Sequence, residues 1–174
     1  MNIDSEILKE HSKRQTVRIG TWIGENRSRL RQLIKIFLHG EYRTTQRAAW
    51  IVSYCAEKHP RLIAPWIHAM VKKMQQQGVH IAVKRNVLRV LQDADIPRSH
   101  LGTVATICFD ELASAGSPIA VRAYAMTVLA QIAKREPDIV HELRGMIEQM
   151  LPHAGPGIHA RSRMVLKQLS TYRK

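Results

Sequence analysis

Two cysteines in 174 residues are too few to build a disulfide framework. Cys55 and Cys108 each sit inside an apolar helical stretch, which fits small core residues in a reducing compartment. Aromatics are scarce at 5%, and no stretch alternates apolar and polar residues over a useful length. Both facts argue against a β-rich fold. No apolar run approaches the ~20 residues that cross a bilayer, so no membrane partner is expected. The opening MNIDSEILKEHSKRQ lacks the apolar centre of a secretory signal, and a cytoplasmic location is the expectation. Catalytic signatures are missing as well. There is no G-x-S-x-G, no G-x-x-x-x-G-K-[ST] and no G-x-G-x-x-G, so neither an enzyme nor a cofactor is expected.

What the chain does have is positive charge, +13 with histidine neutral, and it is unevenly spread. Residues 1–39 hold 8 basic and 4 acidic residues, and residues 40–80 hold 6 and 2. Residues 81–116 and 117–151 are balanced at 4 and 4, whereas 152–174 hold 5 and none. Lys9, Lys13, Arg14, Arg18, Arg27, Arg29, Arg31 and Lys35 crowd the first part, and Lys72 and Lys73 extend it. Arg161, Arg163, Lys167, Arg173 and Lys174 form a second cluster. Such stripes are the electrostatic footprint of a phosphate-backbone binder. They equally suit a solvated face, and no aromatics interleave with them for base stacking.

The apolar residues that are present recur with helical spacing. Leu30, Leu33, Ile34, Phe37 and Leu38 form one stripe, with Gly40 as its stop. Ile63, Trp66, Ile67, Met70, Val71 and Met74 form a second, ended by Gly78. Leu101, Val104, Ala105, Cys108 and Leu112 form a third, and Ile139, Leu143, Met146, Ile147, Met150 and Leu151 a fourth. Segments 42–58, 80–94, 118–135 and 157–172 read as further amphipathic helices. Pro60, Pro97 and Pro137 fall between one helix and the next, where proline suits a first helical turn. Pro65 lies early in its helix and should shift the start or kink it.

The segments therefore pair, and the pairs repeat. Arg47, Arg85, Arg122 and Arg161 are spaced by 38, 37 and 39 residues. A two-helix period near 37 predicts an all-α superhelix, because a lone pair cannot bury its apolar face and must stack on neighbours. First helices open with QRAAW, VKRNVLRVL and VRAYAMTVL, and second helices with HPRLIAPWI and EPDIVHELRGMI. On these stretches the chain resembles the HEAT-repeat family of α-solenoids. The 80–94 segment departs from the pattern at Asn86 and Arg89. The expected layout is one domain over 1–174, with units 1–39, 40–78, 79–116 and 117–152 and a closing helix at 156–172. That makes about four helix pairs plus one helix.

The resemblance implies a non-enzymatic scaffold that binds a protein partner on second helices 62–76, 100–114 and 138–151. Positions just off the core stripes are the candidate contacts: His68, Lys72, Thr103, Asp110, Arg144 and Glu148. The alternative is nucleic-acid binding through Lys13, Arg14, Arg18, Arg27, Arg31, Arg161, Arg163 and Lys167. Some alkylpurine DNA glycosylases use HEAT-like repeats with a catalytic carboxylate, for which Asp110 is the one candidate acid here. The four matched arginines are expected to hold a neighbouring unit's carboxylate or turn carbonyls. Trp50 and Trp66 are expected in the core, with Trp22 open as an interface anchor. Asp138, His141 and Glu142 share a helix face at i, i+3, i+4, but no further ligand falls at matching spacing and no metal is expected.

Overall fold

Side-chain caps set where the first helices begin. Asn2 accepts from the Ser5 amide, Ser12 from that of Gln15 and Asn26 from that of Arg29, each satisfying a donor that the first turn leaves open. The helices so started are α1 (Ile3–Lys9), α2 (Lys13–Ile23) and α3 (Arg27–His39). They are followed by α4 (Tyr42–Lys58), α5 (Pro60–Ile63), α6 (Ile67–Met74) and α7 (Ile81–Leu91). The remainder are α8 (Leu101–Ala113), α9 (Ile119–Ala133), α10 (Val140–Met150) and α11 (Pro156–Leu169). This is a computed structural model, and it describes residues 1–172; among these there is no strand.

Two local predictions hold. Pro65 interrupts its helix: a 3-10 turn, Ala64–Trp66, separates α5 from α6. Gly78 ends the following turn with φ 72°, a left-handed conformation that favours glycine. Residues 1–39 differ from a simple pair, since α1 is an extra short helix ahead of α2 and α3.

The chain forms two compact units, Met1–Pro97 and Arg98–Lys174. The break falls between α7 and α8, inside the stretch 79–116 read as one unit from sequence. It follows the QDADIP segment, residues 92–97, which is too polar and proline-limited to continue α7.

In the first unit α4 is central. It packs against α1, α2, α3, α5 and α7, and it buries Ala48, Ala49, Ile51, Val52 and Cys55 on more than one side. In the second unit α9 has that place, packed against α8, α10 and α11. It buries Val121, Ala125, Met126, Val128, Leu129, Ala130, Ile132 and Ala133. These two helices carry the QRAAW and VRAYAMTVL stretches, each with its arginine ahead of small and apolar residues. Their alanines are what allow helices to approach from several sides, since a small side chain keeps the axes close.

The matched arginines divide. Arg47 of α4 donates to the carbonyls of Leu8 (2.7 Å) and Ile7 (3.3 Å), the open C-terminal end of α1. Arg122 of α9 reaches the Leu112 carbonyl in the last turn of α8 at 3.4 Å, and its Nη2 lies 2.8 Å from Met150 Sδ. Both meet the expectation of a carbonyl partner. Arg161 of α11 instead donates to Thr127 Oγ1 at 2.7 Å. Arg85 is exposed. Replacing Arg47 with alanine is expected to lower stability by about 1 kcal/mol, the loss of a charged donor at a half-exposed helix end. Amide exchange should accelerate chiefly in α1; unchanged exchange there would contradict the role.

A second ionic anchor lies at the α1–α2 junction. Glu6 is buried and accepts from Lys9 and from Gln15 Nε2 (3.1 Å), with Arg18 at 3.3 Å. The Lys9 and Gln15 hydrogen bonds, then the Lys9 and Arg18 charges, hold its carboxyl below the ordinary glutamate value against the opposing effect of burial. A depressed carboxyl contributes stability above its ordinary pKa and loses it as pH falls through the folded value. The stability gap between wild type and Glu6→Gln should therefore be present at neutral pH and close on acidification. Denaturant midpoints measured across the acid range check this, and a gap independent of pH would refute it.

Candidate functional site

The cations of the first unit fall into two sets. One set is used by the fold. Arg29 Nη1 donates to the Trp22 carbonyl at 2.7 Å while its guanidinium lies 4.3 Å from the Trp22 ring centre, which covers that half-buried tryptophan. Lys73 Nζ donates to the Leu38 carbonyl at 2.9 Å and ties α6 to the end of α3. Arg14 pairs with Glu10 at 3.3 Å, and Arg18 with Glu6.

The other set is exposed. On α3, Arg27, Arg31 and Lys35 follow at i, i+4 and so share one face. On the neighbouring α6, Lys72 is exposed; His68 is exposed on the same helix, and Arg61 on α5. Phe37, Leu33, Leu30 and Ile34 occupy the buried side of α3, and Ile67, Met70, Val71 and Met74 that of α6, so the cations are left on the outside. Residues 26–40 and 58–92 contain no Asp or Glu, but carboxylates from elsewhere reach α5: Arg61 lines a cavity together with Glu57, Asp93 and Asp95, and Glu25 Oε1 stands 3.7 Å from His59 Nδ1.

The second unit has the opposite sign on its second helices. Asp110 on α8 and Glu142 and Glu148 on α10 are exposed. Glu111 is buried and accepts a hydrogen bond from the Ser117 hydroxyl. Helix α8 has no Lys or Arg, and the single one in α10, Arg144, is half-buried and donates to the Leu169 carbonyl at 3.2 Å. Thr103 is half-buried. Arg163 and Lys167 are exposed on α11, whereas Arg161 is held against α9; Lys13 is exposed on α2. Arg173 and Lys174 lie outside the described residues.

By sequence Lys72 and His68 belong to one candidate surface and Arg27 and Arg31 to another; the fold puts all four on adjacent second helices of one unit. Lys35 and Arg61 join them and were not singled out as site residues. The acid-free runs 26–40 and 58–92 were the available signal.

Other chemistry is limited. Burial pushes the Cys55 thiol up to about 12 and raises that of Cys108, with the Glu111 charge adding to the latter, so neither is a ready nucleophile. Among the described residues no group of metal-ligating side chains converges. Trp50 and Trp66 are half-buried instead of fully in the core, and Trp50 meets His11 edge-on at 5.4 Å. A cavity of about 370 Å³ in the first unit lies among α4, α5, α6 and the segment after α7. Its walls include Ala56, Ile63, Ile67 and Val90, and Glu57 and Arg89 pair at its edge at 2.9 Å.

No helix among the described residues is long and apolar enough to cross a membrane. No curated protein and no solved structure matches the chain. A family model described as a HEAT repeat domain matches residues 3–169, nearly the whole length. Repeated helix pairs, arginines placed alike at the starts of α4 and α9, and this match agree: the chain belongs to the HEAT-repeat family.

Proposed function

We propose that the protein is a non-enzymatic scaffold that binds a protein partner on the exposed faces of its second helices, α3, α5–α6, α8 and α10. The observation that supports this is the division of labour among charges. Arg29, Lys73, Arg122 and Arg144 are tied to backbone carbonyls, while Arg31, Lys72, Asp110 and Glu148 stand outside and serve no contact the fold requires. Two buried free cysteines suit a reducing, cytoplasmic setting. A photo-crosslinking residue at position 72 or 148 should trap a stoichiometric partner in native extract, whereas one at position 163 should not. Absence of any adduct from both second-helix positions removes this reading.

Nucleic-acid binding is the second reading, favoured by the exposed Lys13, Arg27, Arg31, Arg163 and Lys167. It requires retardation of duplex or single-stranded nucleic acid in a gel, with log K falling by several units per log unit of salt. No retardation near physiological salt eliminates it.

A further inference from the structure

Granting that second-helix faces receive the partner, we infer that the α3/α5–α6 face of the first unit takes an acidic protein segment. Arg27, Arg31 and Lys35 stand about 6 Å apart along α3, one step per four residues. Carboxylates placed at i, i+4 on a helical partner have that same spacing. Lys72 lies on α6, which packs against α3, roughly 8–10 Å across and within about one Debye length at physiological salt. Their fields therefore add, since α3 and α6 carry no Asp or Glu; the carboxylates Glu57, Asp93 and Asp95 gather instead around the cavity that Arg61 lines on α5.

The same charges argue against a uniform polyanion such as nucleic acid. The corresponding helices of the second unit, taken by themselves, expose Asp110, Glu142 and Glu148 and no Lys or Arg that is free of the fold, so they offer a polyphosphate no cationic footing. The aromatics nearest these cations in the chain offer no fully open platform: Phe37 is buried, Arg29 covers Trp22, and Trp66 ahead of α6 is half-buried. A protein ligand can confine its acidity to one stretch, which a nucleic acid cannot.

Fluorescence anisotropy tests this with a labelled helical peptide of Glu, Ala and Leu about three heptads long. A Lys-for-Glu peptide and a single-stranded oligonucleotide of equal formal charge serve as comparisons. The intact chain should bind the acidic peptide and ignore the basic one. Arg31→Glu with Lys35→Glu should weaken binding about tenfold or more and flatten its salt dependence. Lys13→Glu with Arg163→Glu should leave it unchanged. All four positions are exposed, so melting curves should match wild type; Arg31→Gln with Lys35→Gln provides a milder pair.

No binding of the acidic peptide, equal loss in both variants, or tighter binding of the oligonucleotide each overturns the inference. Its failure is separable from that of the scaffold reading. A partner trapped from position 72 whose capture is indifferent to Arg31→Glu and Lys35→Glu leaves the scaffold standing and removes only the acidic segment.

Discussion

Phe37→Ala should lower stability by about 3–5 kcal/mol, the largest single effect expected in this chain. The ring is 1% exposed on the inner side of α3, which packs against α4. Helix α4 turns the small Ala48 and Ala49 inward, so little side chain is available there to refill the space. The loss therefore combines the transfer free energy of the ring with a residual cavity. Neighbouring Leu38 is half-buried, and its truncation should cost distinctly less. Urea unfolding of the intact chain measures both variants. A Phe37→Ala penalty below that of Leu38→Ala would mean that α3 does not present this face to the core.

Gly20→Ala is the second large effect, and its sign runs against helix propensity. Alanine in a helix interior is favoured over glycine by about 1 kcal/mol. At this position, however, a Cβ would stand 2.2 Å and 2.5 Å from Cδ1 and Cε1 of Tyr54. These are ring atoms of a half-buried side chain across the α2–α4 contact, not the far end of a flexible one. The clash must move the ring or separate the helices, at about 1–3 kcal/mol or more, so a net loss of roughly 2 kcal/mol is expected. Tyr54→Ala in the same chain should abolish that loss and allow the propensity gain to appear, giving a strong coupling in a double-mutant cycle. Stabilisation by Gly20→Ala alone would show that α2 and α4 lie farther apart.

These two cases mark how far the sequence could be read. Phe37 was legible, because Leu30, Leu33, Ile34, Phe37 and Leu38 keep one helical face and the structure buries all but Leu38. Gly20 was not: a glycine inside a helix looks like a weakness until its partner, 34 residues away, is known to press against it. The candidate contacts show the same division. Arg144 reads as a partner-binding position, yet it is committed to the Leu169 carbonyl by a hydrogen bond that no local pattern announces, whereas the register of Arg161 with Arg47 and Arg122 did announce a bound role, though not its Thr127 partner. Conversely, Lys72 and Lys73 read only as an extension of the basic first part, and it is the packing of α6 against α3 that separates Lys72, left exposed, from Lys73, tied to Leu38.

What the amino-acid order determined is everything governed by neighbours within a few residues: helix starts and stops, the kink at Pro65, which side of each helix avoids water, and the two-helix period that places the chain among HEAT repeats. Tertiary structure alone decided which first helix each unit is built around, where the chain divides at Pro97, and which cations stay free. The reason is one of range. Backbone geometry and apolar periodicity act over a turn or two, whereas a carbonyl such as that of Leu8, presented to Arg47 from 39 residues earlier, becomes a partner only after the helices have packed.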